Sequence, residues 1–139
     1  MNRSQLRPAF TLVEILVALA ILGMLVAAAV VKVNSALTHS QVSVAQLFVR
    51  QSLQTPLTTY RIDMGDYPTT DESLQALYTA PADKADRWHG PYADGKLPND
   101  PWGEPYHYKY PGTHNVGGYD LWSSGPDHTD GTADDVTNW

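Results

Sequence analysis

The sequence predicts an α+β fold in which the second half of one long N-terminal helix packs on a small antiparallel sheet. Three patterns predict it. Ile15 to Val31 is a run of 17 apolar residues, counting Gly23. A helical periodicity continues beyond that run to Tyr60. Two short segments near the C-terminus, Tyr106–Tyr110 and Tyr119–Ser123, read as strands.

The chain has 139 residues, which suits one compact domain plus an extension. It is 42% hydrophobic, yet its mean hydropathy is −0.32, so the apolar residues are clustered. Ten prolines and ten glycines, most of them after Tyr60, make the C-terminal half loop-rich. Net charge is −6 with no basic stripe, which argues against nucleic acid as a partner. There is no cysteine, and therefore no disulfide, thiolate metal site or cysteine nucleophile.

Residues 1–9 are short and polar, with Arg3 and Arg7 as cations. The apolar stretch 10–31 follows. As a helix it spans roughly 33 Å, enough to cross a hydrocarbon core of about 30 Å. It is too long for the apolar core of a conventional signal peptide. The basic flank precedes it, so positive-inside logic leaves the N-terminus in the cytoplasm and sends the rest outward. The plainest reading is a single-pass anchor. Val42, Ala45, Val49, Leu53, Leu57 and Tyr60 then recur at spacings of 3, 4, 4, 4 and 3, one face of an amphipathic helix. The long helix is expected over about Phe10–Tyr60. Pro56 interrupts it, with a bend near Thr55 or an early stop.

Thr69 and Glu72 have capping-box spacing, and a short helix is expected over about 71–79, stopped before Pro81. Residues 80–103 are rich in turn signals, among them Gly90-Pro91, Asp94-Gly95 and Asn99-Asp100-Pro101. Tyr106–Tyr110 alternates in period two. Asn115–Gly118 reads as a turn and Tyr119–Ser123 as its partner strand, so the pair forms an antiparallel hairpin. The tail from Ser124 reads as a polar loop.

Two groups of residues carry the chemistry. The first is Glu14, a carboxylate one turn into the apolar run. Such a group is costly in hydrocarbon. It can snorkel to the headgroups, stay protonated or pair with Arg7. A cut between Ala9 and Phe10 offers another partner, a new amine four residues before Glu14. A staggered neighbour then places its amine beside that carboxylate, a heterologous contact that builds an open helical filament when the rotation does not close. The cut also removes Arg3 and Arg7 and takes the net charge from −6 to −8.

The stretch AFTLVEILVALAILGMLVAAAVV resembles the class III signal of type IV pilins and type II secretion pseudopilins. The resemblance implies that prepilin peptidase removes residues 1–9 as a leader and N-methylates Phe10. It further implies that Glu14 pairs with the amine of an adjacent subunit, so that Phe10 and Glu14 together direct assembly. Ala9 stands where that family nearly always has glycine.

The second group is Asp127, Asp130, Asp134 and Asp135, four carboxylates in a Gly-containing loop. They repel one another unless they are solvated or bridged by a cation. Oxygen donors without His or Cys favour calcium over zinc, although the EF-hand register is absent. The segments YPTTDESLQAL, LPNDPWGEPYHYKYPG and YDLWSSGPDHTDGTADDVTNW resemble, in order, the head of the type II secretion major pseudopilin. That family has a type IV pilin-like fold with a calcium-binding C-terminal loop. Carried over, the calcium ligands are the side chains of Asp127, Asp134 and Asp135 and carbonyls near Ser124 and Thr129, with Thr132 as a further candidate. Asp130 has no clear counterpart.

The other polar residues carry no catalytic pattern. His39, His89, His107, His114 and His128 lack metal-type pairing, and Ser123 and Ser124 lack a nucleophile-elbow setting. Trp88, Trp102, Trp122 and Trp139 read as core and loop packing. The expected protein is therefore a filament subunit and not an enzyme. The resemblance implies an inner-membrane, single-pass protein with a periplasmic head at 32–139. It also implies partnership with copies of itself, minor pseudopilins and an inner-membrane assembly platform, in a filament that drives export across the outer membrane. Three readings compete with it. A minor pseudopilin or type IV pilin would share only the first signal, and true pilins usually carry a C-terminal disulfide. A membrane-anchored enzyme would need a convergent catalytic set. A calcium-dependent binding module would leave Glu14 unused.

Overall fold

A computed structural model describes residues 10–139, so the expected leader, Ala9 included, lies outside the described residues. The described chain divides after Thr38 into two units. The first is helix alone. Its apolar side chains are uncovered: Leu16 is 57% exposed, Leu25 64% and Val31 70%. The second, His39–Trp139, holds the core.

Helix α1 runs over Leu12–Leu47, widens to a π turn at Phe48–Ser52 and continues as α2 over Gln54–Met64. The irregularity therefore lies upstream of the bend expected near Thr55, and the helix does not stop early. Proline explains its place. Within an unbroken helix the Pro56 ring would meet the Ser52 carbonyl and offer it no N–H. The break at Leu53 instead puts Pro56 in the first turn of α2, where an N–H has no helical partner to lose. Leu57 N–H then bonds the Leu53 carbonyl at 3.0 Å. The helix ends at Met64, four residues beyond the expected Tyr60, and is capped by Gly65. That residue takes φ +92° and returns its N–H to the Arg61 carbonyl at 2.8 Å, a C-terminal cap that favours glycine.

The predicted helical face is the buried one. Ala45, Val49, Leu53, Leu57, Tyr60 and Met64 form one side of the core, with Val42 partly buried beside them. Leu74, Ala76, Leu77, Leu121 and Val136 close over them. Each large aliphatic side chain so covered contributes ~1.5–3 kcal/mol. The Tyr60 hydroxyl is buried without a hydrogen-bond partner among the described residues, and burial pushes the phenol up to about 12.

The expected helix at 71–79 is replaced by tight turns ending in a 3-10 segment, Leu74–Leu77. The capping box does form: Thr69 N–H donates to Glu72 Oε2 at 2.8 Å, and Glu72 N–H donates to Thr69 Oγ1 at 3.2 Å. It closes a single turn, because Ser73 leaves helical geometry at φ 54°, ψ −170°. Glu72 is further held by Lys84 at 2.5 Å.

Strands β1 (His107–Lys109) and β2 (Asp120–Ser123) pair antiparallel as expected, each shorter than predicted, with His107 opposite Trp122. A third strand, β3 (Val136–Thr137), joins β2 from within the tail read as a loop. Two residues are too few to show a period, and what seats β3 is Val136, 4% exposed, entering the core. Asp120 sets the hairpin. It is 1% exposed, and its carboxylate accepts the backbone N–H groups of Thr113 (2.6 Å), His114 (2.9 Å) and Asn115 (2.9 Å). Asn138 fastens the tail to the same place, accepting from Leu121 N–H and donating to the Tyr119 carbonyl.

Burial pushes the Asp120 carboxyl up, but the three N–H donors and the His114 ring outweigh it and hold it below the ordinary carboxylate value. The Glu72 carboxyl is likewise raised by burial and lowered further by Lys84 and Thr69. A depressed folded pKa gives stability that is present above the unfolded value and lost as pH falls through the folded one. The thermal midpoint of the full chain in detergent micelles should therefore be flat from pH 7 to about 5.5 and fall below about pH 4. A midpoint that rises on acidification would contradict this. Asp120→Ala orphans three backbone donors and should lower the unfolding free energy by about 2–4 kcal/mol, whereas a loss under ~0.5 kcal/mol would deny Asp120 its role.

Candidate functional site

The N-terminal signal forms a compact local structure. Thr11 precedes the helix and Glu14 lies in its first turn. Glu14 N–H donates to Thr11 Oγ1 at 3.2 Å, and Thr11 N–H reaches Glu14 Oε2 at a longer 3.5 Å. This is a capping box, with the carboxylate at the positive end of the helix dipole. The Thr-x-x-Glu spacing recognised at Thr69–Glu72 is equally present at Thr11–Glu14, so this signal was open to sequence reading and was missed. Phe10 is 77% exposed. Arg7 and Ala9 lie outside the described residues.

The acidic loop is tied down at both ends. At its start, Ser123 Oγ donates to Asp100 Oδ2 at 2.5 Å and accepts from Gly125 N–H at 3.1 Å. Asp100, 5% exposed, also takes the N–H groups of Trp102 and Glu104, so it joins the Pro101–Glu104 turn to β2. Sequence reading treated Asp100 only as a turn residue. At Gly125, φ is +68° and an added Cβ would lie 2.3 Å from the Asp134 carbonyl oxygen, so only glycine permits the two limbs of the loop to approach.

Within the loop, Asp127 Oδ1 accepts Thr129 N–H at 2.9 Å. Thr132 Oγ1 lies 2.6 Å from Asp134 Oδ1 and 3.4 Å from Asp135 Oδ1, and Asp135 Oδ2 accepts Gly131 N–H at 2.8 Å. The Thr132 hydroxyl holds the Asp134 carboxyl below the ordinary range, with smaller help from the backbone N–H groups of Asp134 and Asp127. The structure thus gathers Thr132, Asp134 and Asp135. Among the described residues, no three acidic or histidine side chains converge on one metal position. Asp130 stands apart. Its Oδ1 accepts from Ser124 Oγ at 2.6 Å and from Trp122 Nε1 at 3.0 Å, which hold its carboxyl below the ordinary range.

Trp88 and Trp102 pack against the core as expected, whereas Trp139 is 40% exposed. Trp88 Nε1 donates to the Ala76 carbonyl at 2.8 Å, Trp122 stacks with His107, and Trp139 stacks with His114 at 4.0 Å between centroids. Two further histidines lie near single acids, His128 3.6 Å from Glu104 and His89 4.0 Å from Asp63.

Comparison with known proteins agrees with this arrangement. Residues 32–139 match the family model described as type II secretion system (T2SS), protein G, and residues 7–30 match the prokaryotic N-terminal methylation motif. Type II secretion system core protein G of Pectobacterium carotovorum is 39% identical, over 94% of this chain and 83% of that protein. The protein of the same name from Pseudomonas aeruginosa is 38% identical, over 100% of this chain and 99% of its own length. The crystal structure of the major pseudopilin from the type 2 secretion system of enterohaemorrhagic Escherichia coli superposes with a TM-score of 0.59. It is 31% identical and covers 73% of this chain and 85% of its own. A signal motif at the N-terminus, a family match across the head and relatives alike along nearly their whole length lead to one conclusion: the chain belongs to the type II secretion system protein G family.

Proposed function

We propose that this chain is the major structural subunit of a type II secretion pseudopilus, polymerising into a periplasmic filament that drives protein export across the outer membrane. The observation that carries this reading is the uncovered apolar helix of residues 12–33, which begins with a capped carboxylate and leads into a head of the protein G family. That helix surface requires an apolar environment, which either a bilayer or the core of a filament supplies. The protein G family is one of structural secretion subunits and not of enzymes, in keeping with this reading.

In this reading the chain sits once across the inner membrane, N-terminus cytoplasmic and head periplasmic. Prepilin peptidase cuts between Ala9 and Phe10 and methylates Phe10. Glu14 then exchanges its weak bond to Thr11 N–H for the Phe10 amine of a neighbour, a charge-assisted contact stronger than a neutral one. Minor pseudopilins and the inner-membrane assembly platform are the further partners.

Calcium fits the acidic loop by the chemistry of its donors, which are hard oxygens without competing sulfur. The glycine at 125 also allows the two limbs that carry those donors to meet. Asp127, Asp134 and Asp135, with the carbonyls of Ser124 and Thr129 and the Thr132 hydroxyl, would hold it. Bound there, it would supply the positive charge that the loop otherwise draws from N–H and O–H donors alone.

Three outcomes follow. N-terminal sequencing of the membrane-extracted mature protein should begin at methylated Phe10, and an intact Met1 would contradict processing. Glu14→Ala should abolish or strongly reduce filaments seen by electron microscopy and leave the head's thermal midpoint unchanged; filaments in wild-type number would remove the pairing role. Calcium at about 100 times its dissociation constant should stabilise the wild-type chain by ~2.7 kcal/mol. The Asp134→Ala, Asp135→Ala double variant should gain almost nothing, and equal gains in both proteins would discard the calcium site.

A further inference from the structure

We propose that Asp130 is a positioning residue that pre-forms the acidic loop and does not itself hold the cation, an inference that rests on the calcium reading above. The four loop aspartates differ in what they hold. Asp127, Asp134 and Asp135 bond to groups inside the loop: Thr129 N–H, Thr132 Oγ1 and Gly131 N–H. Asp130 reaches back to β2 and the residue after it, with Oδ1 2.6 Å from Ser124 Oγ and 3.0 Å from Trp122 Nε1.

The proton order is fixed by chemistry. A carboxylate only accepts, so both Ser124 and Trp122 donate to Asp130. The Ser124 hydroxyl has spent its one proton, so it accepts from His107 Nε2–H at 3.1 Å. His107 is the cross-strand partner of Trp122, and the two rings stack at 5.1 Å and 15°. Asp130 therefore closes a network whose other members all belong to the sheet or its edge.

Its position gives this network a consequence. Asp130 directly follows Thr129 and grips the side chain of Ser124. One carboxylate thus holds together the two backbone positions whose carbonyls are expected to meet the cation. The Ser124 hydroxyl is consumed by the contact, but its carbonyl is a separate group. Fixing positions 124 and 129 in the cation-free chain removes part of the ordering cost of binding.

The test is a calcium titration of the full-length chain in detergent micelles by calorimetry, with three variants. Asp130→Ala should weaken calcium binding about tenfold, the size of a lost charge-assisted hydrogen-bond pair. Asp130→Asn should stay within about threefold of wild type, because its amide oxygen still accepts from both donors. Ser124→Ala keeps the carbonyl and loses the hydroxyl, so it should resemble Asp130→Ala, and combining the two should weaken binding no further than either alone. Wild-type affinity in Asp130→Ala would overturn the proposal. So would equal losses in the Asn and Ala variants, which would mark Asp130 as a charge or a ligand, and so would additive losses in the double variant. A wild-type chain that binds no calcium would overturn the calcium reading itself and this inference with it, a result distinct from the other three.

Discussion

The apolar surface of the first helix is the constraint on which the rest of the chain depends. Residues from Leu12 to Val33 hold only one acid and one cation, and no part of the described chain covers them. Covering each leucine or valine is worth ~1.5–3 kcal/mol, so the total at stake is tens of kcal/mol, more than the whole stability of a small domain. Such a surface must always lie in something apolar. A bilayer and the centre of a helical filament both meet that need, so a subunit can pass from one to the other without exposing the helix to water. In the proposed function Glu14 is the group that tells the two apart, because its carboxylate has only a 3.5 Å contact from its own Thr11 and would be better served by an amine from outside.

The head solves a different problem. It has three very short strands and long irregular connections, so backbone pairing alone cannot fix it. Three aspartates do much of that work, and all of them fasten to β2. Asp120, its first residue, collects the hairpin loop through three N–H groups; Asp100 collects the Pro101–Glu104 turn and takes the Ser123 hydroxyl; Asp130 collects the acidic loop through Trp122 and Ser124. A carboxylate suits this purpose because it offers several acceptor sites and bonds N–H groups about twice as strongly as a neutral acceptor. The acidity of the head therefore has a structural use apart from any bound cation.

Much of this was legible in the sequence. The buried helical face was read residue by residue, because a 3.6-residue period sustained from Val42 to Tyr60 is hard to mistake. The hairpin was read from tyrosine alternation and its turn. Other features were not legible. The π turn at Phe48–Ser52 answers a steric problem created four residues later by Pro56, and propensity places the fault at the proline. The capping box at Thr69 promised a helix that Ser73 ends after one turn. Strand β3 is held by the burial of a single valine. Asp100 and Asp130 looked like turn and charge residues, since their roles depend on partners more than five residues away. The Thr11–Glu14 box was legible too, since its Thr-x-x-Glu spacing is that of Thr69–Glu72.

The central claim is that one helix surface serves both membrane and filament. Electron cryo-microscopy of filaments from cells overproducing this chain tests it most directly. The account predicts filaments whose axis is a bundle of helices spanning residues 10–38, with each Phe10 amine within ion-pair distance of a neighbour's Glu14. Filaments held together by the heads alone, with the N-terminal helices splayed outward or still in lipid, would contradict it.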